Sequence, residues 1–173
     1  MDNRAEKIKL LSRMNREKAT TPAMLESLRK VLDTPVDATT LIPPLEADAL
    51  MTDFRIGYAN AMESDALNYR RFFHQNELPL VQNLAEGLAQ QLVGEEVYLL
   101  TKFNGDSRGV VLDACVLFSR VGPIIEFDGD SLYALSIDRS QGVLVDHNVD
   151  DNEQAYELTV WGDRWPLLIL VRD

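Results

Sequence analysis

Val97-Tyr98-Leu99-Leu100-Thr101-Lys102-Phe103 is the stretch that decides the fold. Val97, Leu99, Thr101 and Phe103 alternate with Tyr98, Leu100 and Lys102, the period of two that puts successive side chains on opposite faces of a strand. Immediately upstream the period is different. Val81, Leu84, Ala85, Leu88 and Leu92 recur at helical spacing, Pro79 sits where a helix begins, and Gly94 fits the left-handed position that ends one. The chain therefore changes character near residue 95.

Upstream of that switch the pattern is helical. Ile8, Leu11 and Met14 mark a helix over residues 5–18. Thr21 offers a capping hydroxyl and Pro22 a first helical position for a second helix, which carries Leu25, Leu28, Val31 and Leu32 and stops at Asp33-Thr34-Pro35. Residues 34–46, with Pro35, Pro43 and Pro44, form a connection. A further helix over 46–62 places Leu50, Phe54 and Tyr58 on one stripe, with Gly57 as an unfavourable interior residue. Ser64-Asp65 caps a helical piece holding Leu67, Arg70, Arg71, Phe72 and Phe73.

Downstream, short strands alternate with turns. Asn104 to Ser107 is a turn, 110–118 a mostly apolar strand, and Gly122-Pro123 a break. Strands 124–127 and 132–137 flank Asp128-Gly129, a pair suited to a tight hairpin. Strands at 143–145, 156–161 and 167–171 follow, around a polar loop from Asp146 to Gln154. Helices followed by strands joined through hairpin turns indicate an α+β fold. The expectation is one domain over 1–173, mainly helical over 1–95 and mainly β over 96–173. Its N-terminal helices pack on a C-terminal antiparallel meander sheet of about six strands.

Composition narrows function. The 173 residues include 28 Asp+Glu against 17 Lys+Arg, a net charge of −11, with 46% hydrophobic residues and a single cysteine. That much apolar material excludes disorder throughout, and Cys115 alone excludes an internal disulfide. Residues 1–30 hold eight basic and four acidic residues, whereas 31–173 hold nine and 24, a split of +4 against −15. The acidic part repels duplex nucleic acid and attracts a basic partner. No segment has the ~18 apolar residues of a membrane span. Met1 to Lys7 has mixed charge and no apolar signal core behind it, so the expected location is cytoplasmic, without membrane association.

Candidate chemistry is sparse. Asp146, Asn148, Asp150 and Glu157 fall at positions 1, 3, 5 and 12 of a calcium loop, but Asp151 replaces the glycine that its sharp turn requires, and the flanks read as strands. Glu126, Asp128 and Asp130 alternate near a predicted turn. Neither His74 nor His147 lies in a nucleophilic signature, and no phosphate-cradling glycine loop precedes a helix. Tyr69 to His74 mixes aromatic and basic residues, which on a helix fan over several faces.

The reading that follows is a non-enzymatic acidic binding protein, with no catalytic, metal or cofactor residues assigned. It docks on a basic protein partner through Glu126, Asp128, Asp130, Asp146, Asp150, Asp151, Glu153 and Trp165. Trp165 is included because tryptophan is enriched at interface hot spots. An immunity protein that inhibits a nuclease toxin is its concrete form. The alternatives are a metal-dependent hydrolase or metal-binding domain using the same acidic loops, and a chaperone or adaptor for a secreted protein.

Overall fold

The computed structural model describes residues 3–63, 68–103, 106–129, 131–150 and 153–170. Helix α1 (Asn3–Leu32) leads through a short strand β1 (Leu41–Ile42) to helix α2 (Pro44–Glu63) and strand β2 (Asn68–His74). Helix α3 (Leu78–Gln91) precedes the hairpin β3 (Glu96–Phe103) and β4 (Asp106–Asp113). Helices α4 (Ala114–Phe118) and α5 (Val121–Asp128) then cross to β5 (Ser131–Ser136), β6 (Gly142–Asp150), β7 (Glu153–Trp161) and helix α6 (Trp165–Leu170).

The α+β class is as expected, with helices leading and strands following. The sheet has seven strands in the order β1-β4-β3-β5-β6-β7-β2, every neighbouring pair antiparallel. Both edge strands, β1 and β2, come from the mainly helical first half. The sheet is only partly a meander, because α4 and α5 carry the chain from β4 past β3 to β5 on its other side.

Helices cover both faces of the sheet. On one, α1, α3, α4, α5 and α6 bury Leu28, Leu88, Phe118, Ile124 and Trp165 against strand residues such as Leu99, Val110, Leu132 and Val145. On the other, α2 alone buries Leu50, Met51 and Phe54 against Leu100, Leu135, Leu144 and Trp161. The alternation read in 97–103 is this division: Val97 and Leu99 face the first core, and Leu100 the second. No helix among the described residues is long and apolar enough to cross a membrane.

Five local expectations need correction. Residues 68–74 are a strand, not a helix: Tyr69 and Phe73 point into the core while Phe72 is exposed, with the Arg70 guanidinium 4.9 Å from its ring centroid. The predicted 110–118 strand ends at Asp113, whose carboxylate accepts the Cys115 N–H at 2.7 Å and starts α4. Residues 124–127 belong to α5. Pro123 sits in its first turn, where no N–H donation is required, and Gly129 (φ +100°) ends the helix rather than forming a hairpin turn. Residues 165–170 are helical, not a closing strand.

The fifth concerns α1, which runs unbroken through Thr21-Pro22. Proline removes one donor there. The Thr20 hydroxyl donates to the Arg16 carbonyl at 3.0 Å, and the Thr21 hydroxyl to the Glu17 carbonyl at 2.8 Å. These bonds fall on the two carbonyls just before that of Lys18, the acceptor that Pro22 leaves without its N–H donor. The Ser64-Asp65 cap and the Asn104-Gly105 turn lie outside the described residues.

The Asp113 cap carries a prediction. Its second oxygen accepts the Gly94 N–H at 3.2 Å, so one carboxylate ties the end of α3 to the start of α4. Asp113→Ala is expected to destabilise the fold by about 1 kcal/mol, read as a lower urea midpoint with unchanged slope.

Candidate interface at the acidic end of the sheet

Strand register gathers the predicted acidic residues. β3 ends at Phe103 and pairs antiparallel with β5, placing the start of β5 at that same end. Ser131 pairs with Asp146, Asp150 with Glu153, and Ala155 with His74. One end of the sheet therefore carries the facing ends of β3 and β4, the end of α5, the start of β5 and the facing ends of β6 and β7. By backbone position it holds Asp106, Asp128, Asp146, Asp150 and Glu153. Glu126 lies exposed nearby on α5. Asp130 and Asp151 lie outside the described residues.

Several local bonds hold this end. Asp128 accepts the Lys102 N–H at 2.8 Å, docking the end of α5 on β3. Asp146 accepts from the Ser131 hydroxyl across the β5–β6 pair. The strands β6 and β7 stay paired through Asp150 and Glu153, so residues 146–150 and 153–154 of the expected polar loop are paired strand. This is a different backbone from the single continuous loop of a calcium site. Among the described residues no group of three or more His, Cys, Asp or Glu is placed to hold a metal ion.

Beneath the acidic end lies a cluster that sequence reasoning missed. Glu157 is buried on β7. It accepts Nε of Arg70 at 2.8 Å, Nη2 of Arg70 at 3.2 Å, the Thr159 hydroxyl at 2.7 Å and the Tyr58 hydroxyl at 3.2 Å. Burial pushes the Glu157 carboxyl up; the bonds from Arg70 and Thr159, the Arg70 charge and the Tyr58 bond outweigh it and set it below the usual carboxylate range. Burial and then the Glu157 charge push the Tyr58 phenol up. Residues 70 and 157 are 87 apart in sequence, and only the β2–β7 pairing makes them neighbours. This is a structural ion pair joining α2, β2 and β7: its carboxylate is saturated with donors, leaving it poorly suited to proton transfer.

Trp165 does not contribute a surface. It is 1% exposed, stacked edge-on against Phe118 at 5.9 Å, with the Gln141 side chain accepting its backbone N–H. His147 stacks on Tyr156 at 4.7 Å, and Cys115 packs against the core. At the opposite end of the sheet, α2 and the turns near residues 140 and 162 enclose a concavity of about 510 Å³ floored by Trp161. Arg139 donates to Asp53 across its rim at 2.8 Å, and Asp163 lines it as well.

Among the described residues, the arrangement gathers acidic positions at one sheet end and shows no nucleophile–base pair and no oxyanion cradle. Comparison with protein-family models finds none that matches the chain, and comparisons with curated proteins and with solved structures find no significant match, so the reading of function rests on this geometry.

Proposed function

We propose that the chain is a non-enzymatic binding protein that presents the acidic end of its sheet to a basic protein partner. An immunity-type inhibitor that covers the cationic active site of a nuclease is the form this takes. The observation that carries the reading is the register-driven convergence of Asp128, Asp146, Asp150 and Glu153 on one end of the sheet, with Asp106 beside them. The chain's net charge of −11 extends the same attraction to long range, which raises encounter rates with cationic partners.

The test is calorimetric titration against a panel of basic nuclease domains at low and high salt. A binding member of that panel is expected to lose affinity as salt rises. Charge reversal at Asp128, Asp150 or Glu153 should weaken binding about tenfold each, roughly 1.4 kcal/mol. Reversal at Glu96, exposed at the other end of the sheet, should change it little. Equal effects at the two ends, or binding indifferent to salt, would remove the basis of the proposal.

A further inference from the structure

We propose that the first half of α1 is a docking arm for a second copy of this chain, its basic and apolar surface packing on the acidic body of that copy. Three observations carry this, independently of the partner reading above. First, α1 is 30 residues long, but the first buried side chain among its described ones is Met24. Every described side chain before it is exposed or half-buried. Second, Ile8 (58% exposed), Leu11 (58%) and Met14 (43%) recur every three residues and share one stripe of the helix. Three large apolar side chains in a row on a helix face lie open to solvent, where each loses the stabilisation that burial would supply. Third, residues 4–18 hold six basic and two acidic residues, a net of +4, while residues 31–173 carry −15.

The arm is well rooted. Arg13 pairs with Asp48 of α2 at 2.7 Å and donates to the Pro44 carbonyl, and buried Arg108 of β4 donates to the Thr20 hydroxyl at 3.0 Å. Among the described side chains before Arg13, Lys7, Ile8, Leu11 and Ser12 are all exposed, and an isolated helix of about ten residues is marginal in water. A docked partner surface stabilises it.

Charge selects the occupant. Two arms side by side would bring like charge together. An anionic lipid or nucleic-acid surface would attract the arm but repel the much larger negative charge of the body behind it. The body of another copy satisfies both the cationic and the apolar character of the arm. Exchange of arms between two copies makes the contact twofold and closed.

Sedimentation velocity and light scattering on the 173-residue chain test this. At about 50 mM salt and about 100 μM protein, the chain is expected to behave as a dimer of twice 19.5 kDa, dissociating as salt is raised to about 500 mM. The double variant Ile8→Asp/Leu11→Asp should weaken the dimer at least about 30-fold. Lys7→Glu/Lys18→Glu, which leaves the apolar stripe intact, should weaken it about tenfold and flatten the salt dependence. All four side chains are exposed, so an unchanged circular dichroism spectrum and melting profile in monomeric conditions verify that the variants fold. A chain that stays monomeric at low salt, a dimer that ignores both variant pairs, or a monomer that instead sediments with anionic vesicles overturns the proposal.

Discussion

Replacing Gly142 with alanine is expected to destabilise the protein by about 3 kcal/mol, the upper range for overpacking a filled core. A Cβ at Gly142 would stand 2.1 Å from Cζ2 of Trp161 and 2.6 Å from two further atoms of the same ring. The indole is packed against α2. Phe54 meets it edge-on at 4.7 Å, Tyr58 lies at 6.0 Å, and Gly57 of α2 leaves the gap that its Nε1 fills. A Cβ at Gly57 would come within 2.7 Å of that nitrogen. Trp161 thus lies in a slot made by one glycine of the sheet and one of the helix above it, and this slot sets how closely α2 approaches β6 and β7. Urea denaturation would show the Gly142→Ala loss as a lower midpoint. A smaller side chain at the other partner should recover part of it. Trp161→Leu is expected to destabilise the native sequence by about 3 kcal/mol through the cavity it leaves, yet to be far less damaging when combined with Gly142→Ala. Strictly additive losses would show that the ring relaxes elsewhere and that the slot is not what holds it.

The same glycine shows what could and could not be read from the chain. Gly57 looks like a flaw in a helix when only propensity is weighed; its reason is an indole 104 residues away, which periodicity does not reveal. Residues 79–92 and 97–103 were legible because each buries one face, and a half-buried element displays its period. The run 121–128 is short and buries Val121, Gly122, Ile124 and Ile125, too few positions to separate a helical period from a strand's. In β2 the outer face carries Arg70, engaged with Glu157, and the exposed Phe72, so polarity does not alternate as it does in a strand with a plain solvent face. Thr21-Pro22 has the chemistry of a helix start, yet α1 runs on through it. The acids of the candidate interface were visible as residues. Their convergence depends on the β3–β5–β6 pairing, which follows from a crossover that local sequence does not encode. Trp165 follows a turn, which gives no sign of its burial in the sequence. The helix it begins folds back beneath Phe118 and buries it.

The second large effect is expected at Arg70. Arg70→Met removes the cation from a carboxylate whose side chain is 6% exposed, while leaving the apolar stem that lies along β2. Breaking a fully buried pair from one side destabilises by about 3–5 kcal/mol; because Arg70 is itself 41% exposed and water reaches its side of the pair, about 2 kcal/mol at neutral pH is the expectation here. The pH dependence distinguishes this from a packing defect. In the native sequence the Glu157 carboxyl titrates below its unfolded value of about 4.3, so its contribution is fully present above that value and is lost as pH falls through the folded pKa. In Arg70→Met, burial acts on Glu157 without the guanidinium to offset it, and the folded pKa moves above the unfolded one. The sign then reverses: the variant loses stability as pH rises from the unfolded value through the raised one, and the gap to the native sequence closes in acid. Glu157→Gln in the Arg70→Met background should restore part of the loss at neutral pH, since the neutral amide leaves no buried charge and still accepts from Tyr58 and Thr159. Urea midpoints measured from about pH 4 to pH 7 for the native sequence and both variants would show this. A gap between native sequence and Arg70→Met that stays constant across that range would mean that Arg70 acts by packing on Phe72 and not by compensating the Glu157 charge.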